Sequence, residues 1–147
     1  MAAIVELREM SDEKLEEKLE NAREEMFNLR FRHASSRLDD IAQLRRVRRE
    51  IAQFETVLGM RRLAVETAVQ QSEIAAAVKG KKWYAEAHFD YEDSAWQVEF
   101  INEDNDKEIA SALVNLNQKK ASGSRRKRSQ NQVEAKQSPI ISYQVAG

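Results

Sequence analysis

The sequence predicts a mainly α protein: an antiparallel two-helix hairpin, then a small β-hairpin plus short helix, then a disordered basic tail. Two apolar stripes at helical spacing, within residues 15–29 and 41–58, flank one short polar turn. Residues 83–100 instead alternate apolar and polar with a period of two. From Ala121 onward periodicity is lost and polar residues dominate. The expected domains are residues 1–80 for the hairpin with an extended second helix, 81–120 for a ββα unit, and 121–147 for the tail.

The first helix starts at Ser11, a favourable cap, followed by Asp12, Glu13, Glu16 and Glu17, whose carboxylates suit the positive end of a helix dipole. Leu15, Leu19, Ala22, Met26 and Leu29 then make one stripe. In "HASSRLDD" Ser35, Ser36 and Asp39 supply turn and cap chemistry. The second stripe runs Ile41, Leu44, Val47, Ile51, Phe54, Leu58. Gly59 weakens the second helix by about 1 kcal/mol relative to alanine. Strong helix formers then resume, and Gly80 among Lys79, Lys81 and Lys82 is the next stop. Trp83, Ala85, Ala87, Phe89 and Tyr91, then Trp96, Val98 and Phe100, mark two strands about the turn "EDSA". "KEIASALVNLNQ" reads as a short helix using Ile109, Leu113 and Leu116, with Asp106 as cap. An isolated hairpin is marginal in water, so these strands need that helix or a partner.

Composition narrows the chemistry. The 147 residues contain no cysteine, which excludes disulfides, thiolate metal sites and cysteine nucleophiles. No apolar run approaches the roughly 20 residues that cross a bilayer, and "MAAIVELREM" does not read as a signal or transit peptide, so a cytosolic protein is expected. His33 and His88 fall in different segments and supply neither a metal set nor a triad. "EDNDKE" resembles a calcium loop only faintly, lacking its glycine and its bidentate glutamate. The glycines at 59, 80, 123 and 147 build no phosphate-cradling loop. No catalytic residue, metal or cofactor is expected.

The net charge of −1 conceals segregation. Residues 1–29 carry −5, 30–62 carry +5, 63–120 carry −5 and 121–147 carry +4. Screening confines each field to about 10 Å, so a polyanion meets the basic blocks locally. The richest is "RRVRREIAQF", with four arginines in five positions at 45–49. At 100° per residue, Leu44, Val47, Ile51, Phe54 and Leu58 share a sector of about 80°, and Arg45 and Arg49 lie opposite it. Arg46 and Gln53 flank them, and Ala42, Ala52 and Thr56 keep the outer face low. Three readings compete: a solvated face, an adaptor helix meeting an acidic protein, and a nucleic-acid surface. A solvated face normally mixes signs at i,i+4, and this one gathers like charges, which favours nucleic acid.

Phe27 and Phe31 form an i,i+4 pair well away from the first stripe. They either wrap under the turn as core or form an exposed ridge that docks a protein or stacks on bases. Asn28, Arg30 and Arg32 beside them supply hydrogen-bond donors for phosphates or base edges.

"ELREMSDEKLEEKLENAREEMFNLRF" followed by "LRRVRREIAQFETVL" resembles the bacterial large-subunit ribosomal protein L twenty-nine family, from residue 4 to about 62. The ELR opening, the FNLR run at Phe27–Arg30 and the VRR-x-I-A run leading to Thr56 and Leu58 carry the likeness. The resemblance implies a helical hairpin that is a structural constituent of the large subunit. It implies binding to rRNA near the nascent-chain tunnel exit, beside a ribosomal protein of the L twenty-three type. It assigns RNA contact to Asn28, Arg30, Arg45, Arg46, Arg48, Arg49 and Thr56, and Arg37 in the turn adds a phosphate contact. Phe27 and Phe31 are the expected protein-partner residues. No membrane and no small-molecule substrate are implied. The chain departs from the pattern at "SSRL", where the family commonly has glycine, and at Gln53, where it often has arginine. Residues 63–147 have no counterpart in the resemblance, and "RRKR" at 125–128 reads as an RNA-clinging arm, an import signal or solubilising charge.

Overall fold

A computed structural model describes residues 4–117 and 139–146. The chain divides into two compact units, Met1–Arg62 and Leu63–Gly147. The division falls well before the Gly80 stop on which the sequence-based boundary rested.

The first unit is a helical hairpin. It comprises α1 (Ile4–Glu9), α2 (Asp12–Ala34) and α3 (Ala42–Val69), whose last residues belong to the second unit. Cross-helix ties show that α2 and α3 are antiparallel. Arg62 meets Glu16 at 3.7 Å, Arg23 meets Glu55 at 3.0 Å, and Arg61 meets Asp12. Leu15, Leu19, Ala22, Met26 and Leu29 are all buried, as their spacing predicted. On α3 the expected stripe holds in part. Val47, Phe54 and Leu58 are buried, but Leu44 and Ile51 are half-buried and Ile41 is 57% exposed. Val57, absent from the predicted stripe, is 1% exposed. Each fully buried side chain of this size contributes about 1.5–3 kcal/mol.

The helix ends explain the turn. Ser36 takes φ +54°, the left-handed conformation that favours glycine. The Ser36 N–H donates to the His33 carbonyl at 3.1 Å and the Arg37 N–H to the Arg32 carbonyl at 2.9 Å. This pair of bonds is the Schellman closure of a helix C-terminus. The serine therefore holds a backbone position that glycine adopts without steric cost. Asp40, not Asp39, caps α3: its Oδ1 accepts the Ala42 N–H at 2.8 Å. Ser11 sits at the N-cap of α2, but its hydroxyl makes no capping bond.

The short α1 was not anticipated. It is fixed by Leu7, which is fully buried, and by Arg61 of α3. The Arg61 guanidinium, itself 7% exposed, donates to the Arg8 carbonyl at 2.8 Å, the Met10 carbonyl at 2.7 Å and the Asp12 carboxylate. One side chain thereby gathers α1, the entry to α2 and α3.

The second unit is α4 (Ser72–Val78) and a four-stranded antiparallel meander: β1 (Trp83–Asp90), β2 (Ala95–Asn102), β3 (Glu108–Val114) and β4 (Ile140–Val145). The extended second helix breaks at Gln70 and Gln71, where i→i+3 bonds to Thr67 and Ala68 tighten its end. Gly80 does mark a stop, at φ +79° in the turn leading to β1. The predicted β-hairpin is present, and Asp90 Oδ1 braces its turn by accepting the Glu92 N–H at 2.8 Å.

The expected helix over "KEIASALVNLNQ" is overturned. Residues 108–114 form β3, and Asp106 is not a cap but a left-handed turn residue at φ +48°. The segment satisfies two periods at once. Ile109, Leu113 and Leu116 fit a helix, whereas Ala110, Ala112 and Val114 alternate, lie opposite Phe100, Val98 and Trp96, and are buried. Backbone pairing with the open edge of β2 decided between them, since tertiary context overrides weak propensity. The tail is also corrected: its residues 140–145 are β4, paired with β3, and Asn115 N–H donates to the Pro139 carbonyl at 2.8 Å. "RRKR" lies outside the described residues.

One face of the sheet carries Trp96, Val98 and Phe100, with Trp83–Phe100 and Phe89–Trp96 edge-to-face at 5.3 and 5.2 Å. Helix α4 packs on β3 and β4 and buries Ile74 and Val78. Contact of Tyr143, opposite Ala112, with Glu73 of α4 places α4 on this face. The small Ala110 and Ala112 leave room for it.

Candidate nucleic-acid interface

Helix α3 holds its arginines by the seam behind them. Val47, Phe54, Val57 and Leu58 are buried, so the helix cannot rotate without exposing them. Arg45, Arg48 and Arg49 are consequently exposed, and none makes an ion pair among the described residues. The carboxylates nearest in sequence are occupied or turned away. Glu55 is held by Arg23 at 3.0 Å, and Glu50 is half-buried. Arg46 differs, lying 3.9 Å from Asp40 in an exposed pair of little energetic weight.

The other predicted site residues do not all share this face. Thr56 is exposed beside it, but its hydroxyl donates to the Ala52 carbonyl at 2.6 Å and offers a ligand only its lone pairs. Arg37 is exposed in the turn. Asn28 and Arg32 line a cleft of about 340 Å³ with Asn21, Glu24, Glu25, Leu29 and Gln43, where two carboxylates offset the arginine. Arg30 lines a different groove, of about 390 Å³, with Arg23, Met26, Phe27, Arg48 and Ile51. Phe27 and Phe31 are 71% and 67% exposed, so they are not core wrapped under the turn.

Sequence reasoning missed Arg61 and Arg23. Arg61 was legible in principle: it continues the Phe54–Leu58 stripe at the next helical step, and a cation on a core stripe signals a buried partner. Arg23 had no such signal, because its tie to Glu55 is a contact between helices. His33 and His88 are both exposed, and His88 Nε2 lies 3.6 Å from Glu86. Among the described residues no group of His, Asp and Glu could hold a metal ion, and no helix is long and apolar enough to cross a membrane.

Residues 5–61 match the family described as Ribosomal L29 protein. A large ribosomal subunit protein uL29 from Magnetococcus marinus is 46% identical over 66 residues, covering 45% of this chain and 98% of that protein. The chain belongs to the ribosomal L29 protein family. The uL29 of Rubrobacter xylanophilus is 53% identical over 57 residues, 39% of this chain and 85% of its own length. The uL29 of Mycobacterium bovis is 50% identical over 62 residues, 42% of this chain and 80% of its own length. No solved structure matches the chain. As a ribosomal L29 protein it is a structural constituent of the large ribosomal subunit and serves translation without being an enzyme. The family match ends within one residue of the boundary between the two units, so the sheet lies outside it.

Proposed function

We propose that the first unit binds large-subunit rRNA through the outer face of α3, near the nascent-chain tunnel exit and beside a ribosomal protein of the L23 type. The observation that supports this most is the set of Arg45, Arg48 and Arg49, exposed on a rigid helix and paired with no carboxylate among the described residues. Arg45 and Arg49 are one helical turn apart, about 6 Å along the axis, which matches neighbouring phosphates of one strand. Arg30, Arg37 and Arg46 add cationic contacts, and Thr56 an acceptor. Asn28 and Arg32, close to Glu24 and Glu25, serve ribose or base edges rather than phosphate. Phe31, exposed at 67%, is the contact for the protein neighbour.

Binding of this kind is phosphate neutralisation. Contacts from Arg45, Arg48 and Arg49 alone give log K against log salt a slope of roughly −3. Changing Arg45 and Arg49 together to glutamate abolishes co-sedimentation with the large subunit while leaving helicity unchanged. Normal incorporation of that variant refutes the reading. An adaptor helix meeting an acidic protein predicts instead an association that survives nuclease treatment.

A further inference from the structure

The groove between α2 and α3 combines three chemistries in one place. Met26 and Ile51 provide an apolar floor, Phe27 an aromatic wall, and Arg30 and Arg48 a cationic rim. Met26 is buried and Ile51 half-buried, whereas the Phe27 ring stands 71% exposed beside them. Arg23 also lines the groove, its guanidinium fixed on Glu55 at 3.0 Å. Arg30 and Arg48 make no ion pair among the described residues. Arg48 also sits one helical step from Arg45, so the rim continues onto the arginine face of α3.

We infer that this groove holds one unpaired nucleotide of the RNA, its base stacked on Phe27 over Met26 and Ile51, its phosphates at Arg30 and Arg48. The inference rests on the RNA-binding reading above and narrows it to a single-stranded or extruded feature. Other occupants leave part of the groove unused. A duplex presents phosphates to the arginines, but its bases are stacked and its major groove is too narrow for side chains to read. An apolar protein side chain covers the floor and the ring, yet leaves two guanidiniums without an anion. An unpaired nucleotide brings a flat π-face and two flanking phosphates together, and its stacking is tolerant of base identity. The expected pairing of Phe27 with Phe31 as one protein-docking ridge therefore divides. Phe27 belongs to the groove and Phe31 does not.

The full chain is titrated with a short oligoadenylate and with an abasic oligomer of equal length, which keeps the phosphates and removes the bases. The wild type is expected to prefer the base-bearing strand by roughly tenfold. Phe27→Ala removes that preference and leaves abasic binding unchanged, and Phe27→Leu falls between the two. Because the ring is exposed, its loss leaves helicity intact, which circular dichroism verifies. Equal binding of both oligomers by the wild type overturns the inference. So does a preference that survives Phe27→Ala, an outcome that leaves the groove to a protein side chain. Arg45→Glu with Arg49→Glu weakens both oligomers equally, so failure of the arginine face reads out separately from failure of the groove.

Discussion

The two units solve stability in opposite ways. In the hairpin, the seam repeats every three to four residues, and the long-range polar ties among the described residues are side-chain ties: Arg61 to Asp12 and to the Arg8 and Met10 carbonyls, Arg62 to Glu16 and Arg23 to Glu55. In the sheet unit, the core is assembled from strands that meet only through tertiary pairing, Trp96 and Phe100 from β2 against Val114 and Ala110 from β3. Charge falls in blocks in both. Residues 1–29 carry −5 and 30–62 carry +5, and residues 63–120 carry −5 and 121–147 carry +4. The lesson is that the ribosomal L29 fold carries its cations on a scaffold stable through local spacing. The appended unit adds a second acidic block and a second basic block, for a net of −1 over residues 63–147.

The sharpest break in that comparison comes from the sheet core. Phe100 is fully buried, edge-to-face with Trp83 and opposite both Ala85 and Ala110. Phe100→Ala is expected to cost about 3–5 kcal/mol through lost transfer energy and a residual cavity. Tryptophan fluorescence should show the loss in the sheet unit, because Trp83 and Trp96 both lie there. Sedimentation with the large subunit should be unaffected. Loss of ribosome association in this variant would show that the hairpin depends on the sheet.

Arg61→Ala tests the hairpin in the same manner at about 2 kcal/mol, the cost of leaving buried acceptors unmatched. The cost stays moderate because Asp12 is 61% exposed and water can take over its carboxylate. Hydrogen exchange should rise in α1 and the first turn of α2 and stay level in the sheet. A smaller effect of opposite sign is expected at Ser36. Ser36→Gly removes the penalty of a left-handed serine and should raise the hairpin's stability by about 1 kcal/mol, seen as a higher denaturant midpoint. An unchanged midpoint would mean that the serine's local bonds already offset the strain.

These positions also show what the sequence made legible. The α2 stripe was readable residue by residue because helical period and burial are the same statement there. The arginine face followed from it, since fixing one side of a helix fixes the other. Val57 and Arg61 slipped out because the seam of α3 is wider than a single line of residues. The strand β3 was unreadable for a deeper reason. Ala110 and Ala112 have little β-propensity, and what makes them strand residues is the unpaired edge of β2 and the helix α4 above them. β4 was hidden by its distance from β3 along the chain, a separation that local pattern cannot span. Phe27 was recognised as anomalous, but its groove needed Arg48 and Ile51 from the other helix.

The subtlest probe of the sheet unit is the attachment of β4. Tyr143 donates its hydroxyl hydrogen to the Glu73 carboxylate, and this bond, with burial and the adjacent negative charge, raises the phenol above its ordinary value; Gln71 pulls weakly the other way. The raised group favours the folded state fully at pH below the ordinary phenol range. That contribution is lost as pH rises through the folded value, because the unfolded chain releases its proton first. Phenolate absorbance should therefore report Tyr143, together with Tyr84, titrating late. Glu73→Gln removes both the charge and the strongest acceptor, and should return Tyr143 toward its ordinary range. Tyr84 provides an internal reference: burial, Asp106 and Glu86 raise it, none of them altered by that change. A titration curve unmoved by Glu73→Gln would mean that β4 is not held against α4 in solution.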